Sequence, residues 1–132
     1  MTGRRGAGGI VPPMMAYEEL DAWKVCQDLF LDIRTATEPL LEREPDLAHR
    51  MRFVSLRAAS RIARGTGNAS RVSLARCAGA ALNYLSELAF LLGMVRALGL
   101  MPDDQWCTLD ALRGRATFYT GKVAFGRPPE PG

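Results

Sequence analysis

Four arginines in the stretch RMRFVSLRAASRIARGTG, namely Arg50, Arg57, Arg61 and Arg64, follow one another at spacings of seven, four and three residues. At the ~100° of rotation per residue of an α-helix they fall within roughly 60° of one another, while Met51, Ser55, Ala58, Ala59, Ile62 and Ala63 take another sector. A stripe of permanent cations suits phosphate, because binding gains from every added positive charge. Arg71, just beyond the stretch, extends the set. No RNP-type aromatic motif or recognition-helix signature accompanies it, so the expected contact is with RNA or DNA backbone and carries little sequence preference. A second reading fits the same residues. Acids of the preceding segment, such as Asp28, Asp32 or Glu42, could pair with the stripe inside the protein or across a subunit contact, each exposed pair contributing ~0–1 kcal/mol.

The charge distribution sharpens that choice. Residues 17–46 hold nine acids against Lys24, Arg34 and Arg43, whereas residues 47–86 hold no acid and seven arginines. The total is only +3, so it is this separation that asks for a partner.

Catalytic constellations do not assemble from the remaining residues. His49 is the single histidine, and no HxxxH, paired ExxH or GxSxG is present, which sets aside di-iron and zinc chemistry. Gly65 and Gly67 follow a helical pattern instead of a strand, so they do not suit a phosphate loop. Cys26, Cys77 and Cys107 have neither zinc-type spacing nor an even count, and read as free thiols of a reducing cytoplasm. Glu87 is the one acid of its helix and lies among Leu85, Leu88 and Ala89; it calls for an ion pair or hydrogen bond, with an arginine of the second helix a candidate. Trp23 and Trp106 fall on apolar faces and read as core. The expectation is a protein without catalytic residues, metal or cofactor.

Those side chains must be carried by helices. Leu20, Trp23, Cys26, Phe30, Ile33, Thr37 and Leu40 recur every three or four residues and predict a first helix from about residue 18 to 41. Pro45 and Asp46 mark the break before a second helix over Leu47 to Arg64, with Gly65 expected to end it in a left-handed conformation. Ser70 can cap a third helix that runs from Arg71 to Leu98 and stops at Gly99. Pro102 suits a first turn, so a fourth helix is expected from about Asp103 to Thr120. Short connections favour antiparallel neighbours, giving an all-α, up-down four-helix bundle over residues 17–120, flanked by a disordered leader (1–16) and a disordered tail (121–132). The stretch CAGAALNYLSELAFLLGMVRAL is interrupted by Asn83, Ser86, Glu87 and Arg96, so it reads as a buried helix and not a membrane span. Its apolar residues cover most of the circumference, more than one bundle core hides, which predicts a homo-oligomer with Ala75, Ala78, Gly79, Ala81 and Leu85 at the contact.

Three stretches carry a family resemblance: YEELDAW with Tyr17, Leu20 and Trp23; RAASRIARGTGNAS with Ser60, Ile62, Ala63, Gly65, Gly67 and Ser70; and YLSEL with Leu85, Glu87 and Leu88, followed by Leu98 and Gly99. In this order and spacing, over about residues 17–120, the chain resembles the bacterial four-helix-bundle proteins that include those encoded in intervening sequences of large-subunit ribosomal RNA. Their second motif runs near SIPSNIAEGFGRxS. Arg61 and Arg64 stand where that family has Asn and Glu, Arg57 replaces a small polar residue, Ser73 stands in place of Glu, and Thr66 in place of a large aromatic. The resemblance implies a ring-like pentamer with no catalytic activity. In fold and charge the chain is also similar to the accessory variability determinant of diversity-generating retroelements, a basic pentameric bundle, which implies nucleic acid and a reverse transcriptase as partners.

Overall fold

The computed structural model describes residues 17–66 and 70–126, so the expected leader lies outside the described residues. Four helices account for most of them: α1 (Tyr17–Ala36), α2 (Pro45–Thr66), α3 (Arg71–Ala97) and α4 (Asp103–Phe125), with a 3-10 turn at Glu38–Leu40. No strand occurs among the described residues, and the helices pack on one another as a bundle.

In α1 the buried residues Ala22, Val25, Cys26, Leu29, Ile33 and Ala36 repeat at helical spacing. Removing each large aliphatic side chain from water gains ~1.5–3 kcal/mol, so this stripe decides which side turns inward. The helix ends at Ala36, short of the expected Leu41. Pro39 has no amide hydrogen to give Thr35, and its ring crowds that carbonyl, so the chain tightens into the 3-10 turn. Thr37 is fully buried there and fully satisfied: its hydroxyl donates to the Ile33 carbonyl at 2.7 Å and accepts from Arg52 Nε at 2.8 Å. Arg52 Nη2 also donates to the Arg34 carbonyl at 2.8 Å and to the Glu38 carboxylate at 3.0 Å. One guanidinium from α2 therefore closes the end of α1.

Gly65 corrects a sequence expectation. It is an internal, buried residue of α2, which continues through Thr66, and the positive φ angles among the described glycines belong to Gly99 and Gly126. Its missing side chain serves close approach instead. A Cβ there would lie 2.8 Å from the Cys77 Cβ and 3.1 Å from Leu74 Cδ1 of α3.

Ser70 caps α3, its hydroxyl accepting from the Ser73 amide at 3.2 Å. At the other end Gly99 adopts φ 64°, and the Gly99 and Leu100 amides reach the Arg96 and Val95 carbonyls, both at 3.0 Å. That double bond is the Schellman arrangement, which needs a left-handed residue at this place. Pro102 stands just before α4 as its N-cap, and α4 runs past the expected Thr120 to Phe125, so residues 121–125 are helix and not tail. Val123 and Ala124 pack on the core there, which outweighs the low helix propensity of Gly121.

α1 packs on α2, α2 on α3, α3 on α4, and α4 back on α1. Cys26, midway along α1, meets Thr120, late in α4, at 3.5 Å, while Asp32, Thr35 and Ala36, late in α1, line a shared cleft with Gln105, Thr108 and Leu109, early in α4; Arg50, early in α2, meets Glu87 in the second half of α3. The Trp106 indole N–H, early in α4, donates to the Leu92 carbonyl, late in α3, at 2.7 Å. Neighbouring helices are thus antiparallel. Among the described helices α3 alone is long and apolar enough to cross a membrane; its buried side from Ala78 to Val95 forms part of the core.

The expected contact between copies also needs correcting. Ala78, Ala81 and Leu85 are fully buried inside the protomer, where the alanines let neighbouring helices come close, so they have no surface to offer a second copy. Ala75 and Gly79 are half-buried. The large apolar residues that α3 turns outward are Val72, Phe90, Met94 and Leu98.

Candidate nucleic-acid interface

α2 and α3 meet along a seam whose solvent side carries the arginine stripe. At one end Arg50 Nε and Nη2 donate to the two carboxylate oxygens of Glu87 at 2.5 and 2.8 Å. These hydrogen bonds hold the Glu87 carboxyl below its ordinary range and raise the Arg50 guanidinium further. Glu87 is the ion-paired acid its neighbours call for, and the pairing takes Arg50 out of the set of uncompensated cations.

Further along, Arg57 and Arg61 converge on Tyr84. Arg57 Nε lies 3.4 Å from the phenolic oxygen, and this hydrogen bond, with a smaller contribution from Arg61, draws the phenol below its ordinary range. Phe53 stands between Arg50 and Arg57 on α2. Its ring meets Tyr84 edge to face at 6.5 Å, the Arg50 and Arg57 guanidiniums lie over it at 5.1 and 5.7 Å, and it is 45% exposed. Beyond them Gly65 lies against Cys77, so Arg64 is at the level of Arg76 on α3, and both are exposed. Arg71, also exposed, opens α3 at that end.

Among the described residues no carboxylate is within ion-pair distance of Arg57, Arg61, Arg64 or Arg76. Within one chain, therefore, the stripe does not pair with Asp28, Asp32 or Glu42. The stripe borders α3, whose single acid is engaged at its far end, while Asp28, Asp32 and Glu42 are exposed elsewhere. Sequence spacing missed Phe53, Tyr84 and Arg76 as members of the site. Phe53 was within reach of it, being three residues after Arg50 and four before Arg57.

Other chemistry does not gather at the seam. Among the described residues no group of three or more His, Cys, Asp or Glu could hold a metal ion, and His49 is exposed. Of the free cysteines, Cys26 is buried, which pushes its thiol up, Cys77 is half-buried and Cys107 exposed. What the seam can do is attract a polyanion and present it with aromatic surface.

A four-helix bundle with a basic, aromatic-bearing seam is the class that fold and site define. No family model matches the chain, and no curated protein or solved structure matches it.

Proposed function

We propose that the protein is a non-enzymatic, self-assembling four-helix-bundle binding protein whose α2–α3 seam holds nucleic-acid backbone. The observation that carries this reading is the run of Arg57, Arg61 and Arg64 without a carboxylate partner among the described residues, on the side where an acidic partner was the competing expectation. Uncompensated cations at helical spacing make a continuous track, and each phosphate they neutralise releases condensed counterions. The motif likeness to the intervening-sequence proteins agrees with a scaffold without catalysis, and the departures from that family, Arg57, Arg61 and Arg64, are the residues of the track.

Fluorescence anisotropy with mixed-sequence RNA and DNA across a salt series tests it. Wild type should bind both, with log affinity falling by about 0.7–0.9 per phosphate contact for each tenfold rise in salt. Replacing Arg57 and Arg61 together by Glu should weaken binding to all sequences and flatten the slope, while helix content holds because Arg and Glu are both good helix formers. Absence of salt-sensitive binding by wild type near 100 mM salt, where the Debye length is ~10 Å, would end the reading.

Self-assembly draws on a separate observation, the outward Val72, Phe90, Met94 and Leu98 of α3. Phe90, Met94 and Leu98 follow at four-residue intervals and form one apolar ridge of the kind a second copy covers. A closed ring repeating the basic seam by symmetry is the assembly proposed, with five copies by the family likeness.

A further inference from the structure

We propose that the seam selects single-stranded nucleic acid, one base stacking on Phe53 while the flanking phosphates meet Arg57, Arg61 and Arg64. The inference rests on the nucleic-acid reading above and adds the strand class to it.

Phe53 is an aromatic ring left 45% exposed in the middle of a cationic track. Two features hold it ready. Tyr84 meets it edge to face at 6.5 Å from α3, and Arg50, itself fastened to Glu87 by two hydrogen bonds, lies over it from the preceding helical turn. Arg57, from the following turn, has only uncharged partners: its guanidinium is 5.7 Å from the Phe53 centroid and 5.7 Å from that of Tyr84, and its contact with the Tyr84 hydroxyl is 3.4 Å long. A phosphate is a stronger partner for a guanidinium than an exposed ring or a neutral hydroxyl, because that hydrogen bond is assisted by charge on both sides. Arg57 moving to a phosphate frees the part of Phe53 that its guanidinium covers, and the π-face of a base takes that place while Arg50 stays on the ring.

A single strand offers such faces. A duplex hides them within its stack and presents phosphates, sugars and base edges, so Phe53 gains nothing from it. Stacking is tolerant of base identity, in keeping with a track that has no base-reading motif. From Phe53 to Arg64 the helix rises ~16 Å, room for a few nucleotides.

The experiment compares three labelled probes on the full chain at one salt concentration: a thymidine oligonucleotide, a strand of equal length made of abasic sites, and a duplex of the same length. Wild type should bind the thymidine strand about tenfold or more tighter than the abasic strand, the scale of one base–aromatic stack, and tighter than the duplex. Phe53→Ala should bind thymidine and abasic strands alike, at the wild-type abasic affinity, and Phe53→Trp should keep the preference; the exposed position lets both variants fold. Equal, salt-sensitive binding of both strands by wild type, or a preference for the duplex, overturns single-strand selection and leaves the backbone reading standing. Binding to none of the three overturns both.

Discussion

Gly65 of α2 lies so close to Cys77 of α3 that a Cβ at Gly65 would stand 2.8 Å from the Cys77 Cβ. The Cys77 Cβ is fixed to its own backbone and cannot swing aside. Gly65→Ala should therefore force the helices apart at about 1–3 kcal/mol, more than the ~1 kcal/mol that alanine gains in helix propensity. Cys77→Ala keeps the offending carbon and should give no relief, whereas Cys77→Gly should recover part of the loss in a double-mutant cycle. Denaturant melts decide it; a Gly65→Ala variant as stable as wild type would show that the seam has slack.

Glu87→Gln should act with opposite signs on stability and on binding. A carboxyl whose folded pKa lies below its unfolded value contributes stability above the unfolded value and loses it as pH falls through the folded one. The stability gap between wild type and Glu87→Gln should be present at neutral pH and close as pH drops below about 4.3, the ordinary glutamate value. The same substitution releases Arg50, which should tighten nucleic-acid binding and steepen the salt slope by about 0.7–0.9. Thermal melts across pH and a salt titration read the two effects; a gap that widens in acid would contradict the first.

Light scattering should give wild type a mass several times 14.4 kDa. Phe90→Glu with Leu98→Glu, both on the outward ridge of α3, should return the mass to that of one chain while leaving helix content intact. Ala78→Leu should do the reverse: Ala78 is fully buried, so overpacking should lower protomer stability by about 1–3 kcal/mol. A wild-type monomer at micromolar concentration removes the assembly.

Native-state thiol labelling followed by intact mass should modify Cys107 first and Cys77 slowly. Cys26 should stay unmodified until the bundle unfolds, because burial both blocks access and disfavours the thiolate. Rapid labelling of Cys26 would show the α1–α4 side opening under native conditions.

Much of the architecture was legible in local sequence. Ser70 and Gly99 are caps whose chemistry acts within a few residues, so they could be read directly. Pro39 was legible in principle, yet the apolar spacing through Leu40 drew the first helix past it. Gly65 shows the limit: its two roles, left-handed stop or close approach, differ only in what lies across from it, and Cys77 is twelve positions away on another helix. The stripe has the same limit. Spacing gives the angle of Arg57 and Arg61 around α2, but whether α1 acids or Tyr84 border that angle depends on the order in which the helices pack.

That packing order closes on itself. Because α4 returns antiparallel to α1, Tyr17 and Phe125 stand at the same end of the bundle as Thr66 and Arg71. The chain is a loop of helices, and its order is a choice of where the loop is cut. A circular permutant joining the present ends and opening between residues 66 and 71 keeps the same interior, yet moves Arg57 and Tyr84 from 27 residues apart to opposite ends of the sequence. Lengthening a closure adds entropy only logarithmically, so such a chain should hold nearly its parent's stability but fold more slowly, with the basic seam becoming a late, long-range event.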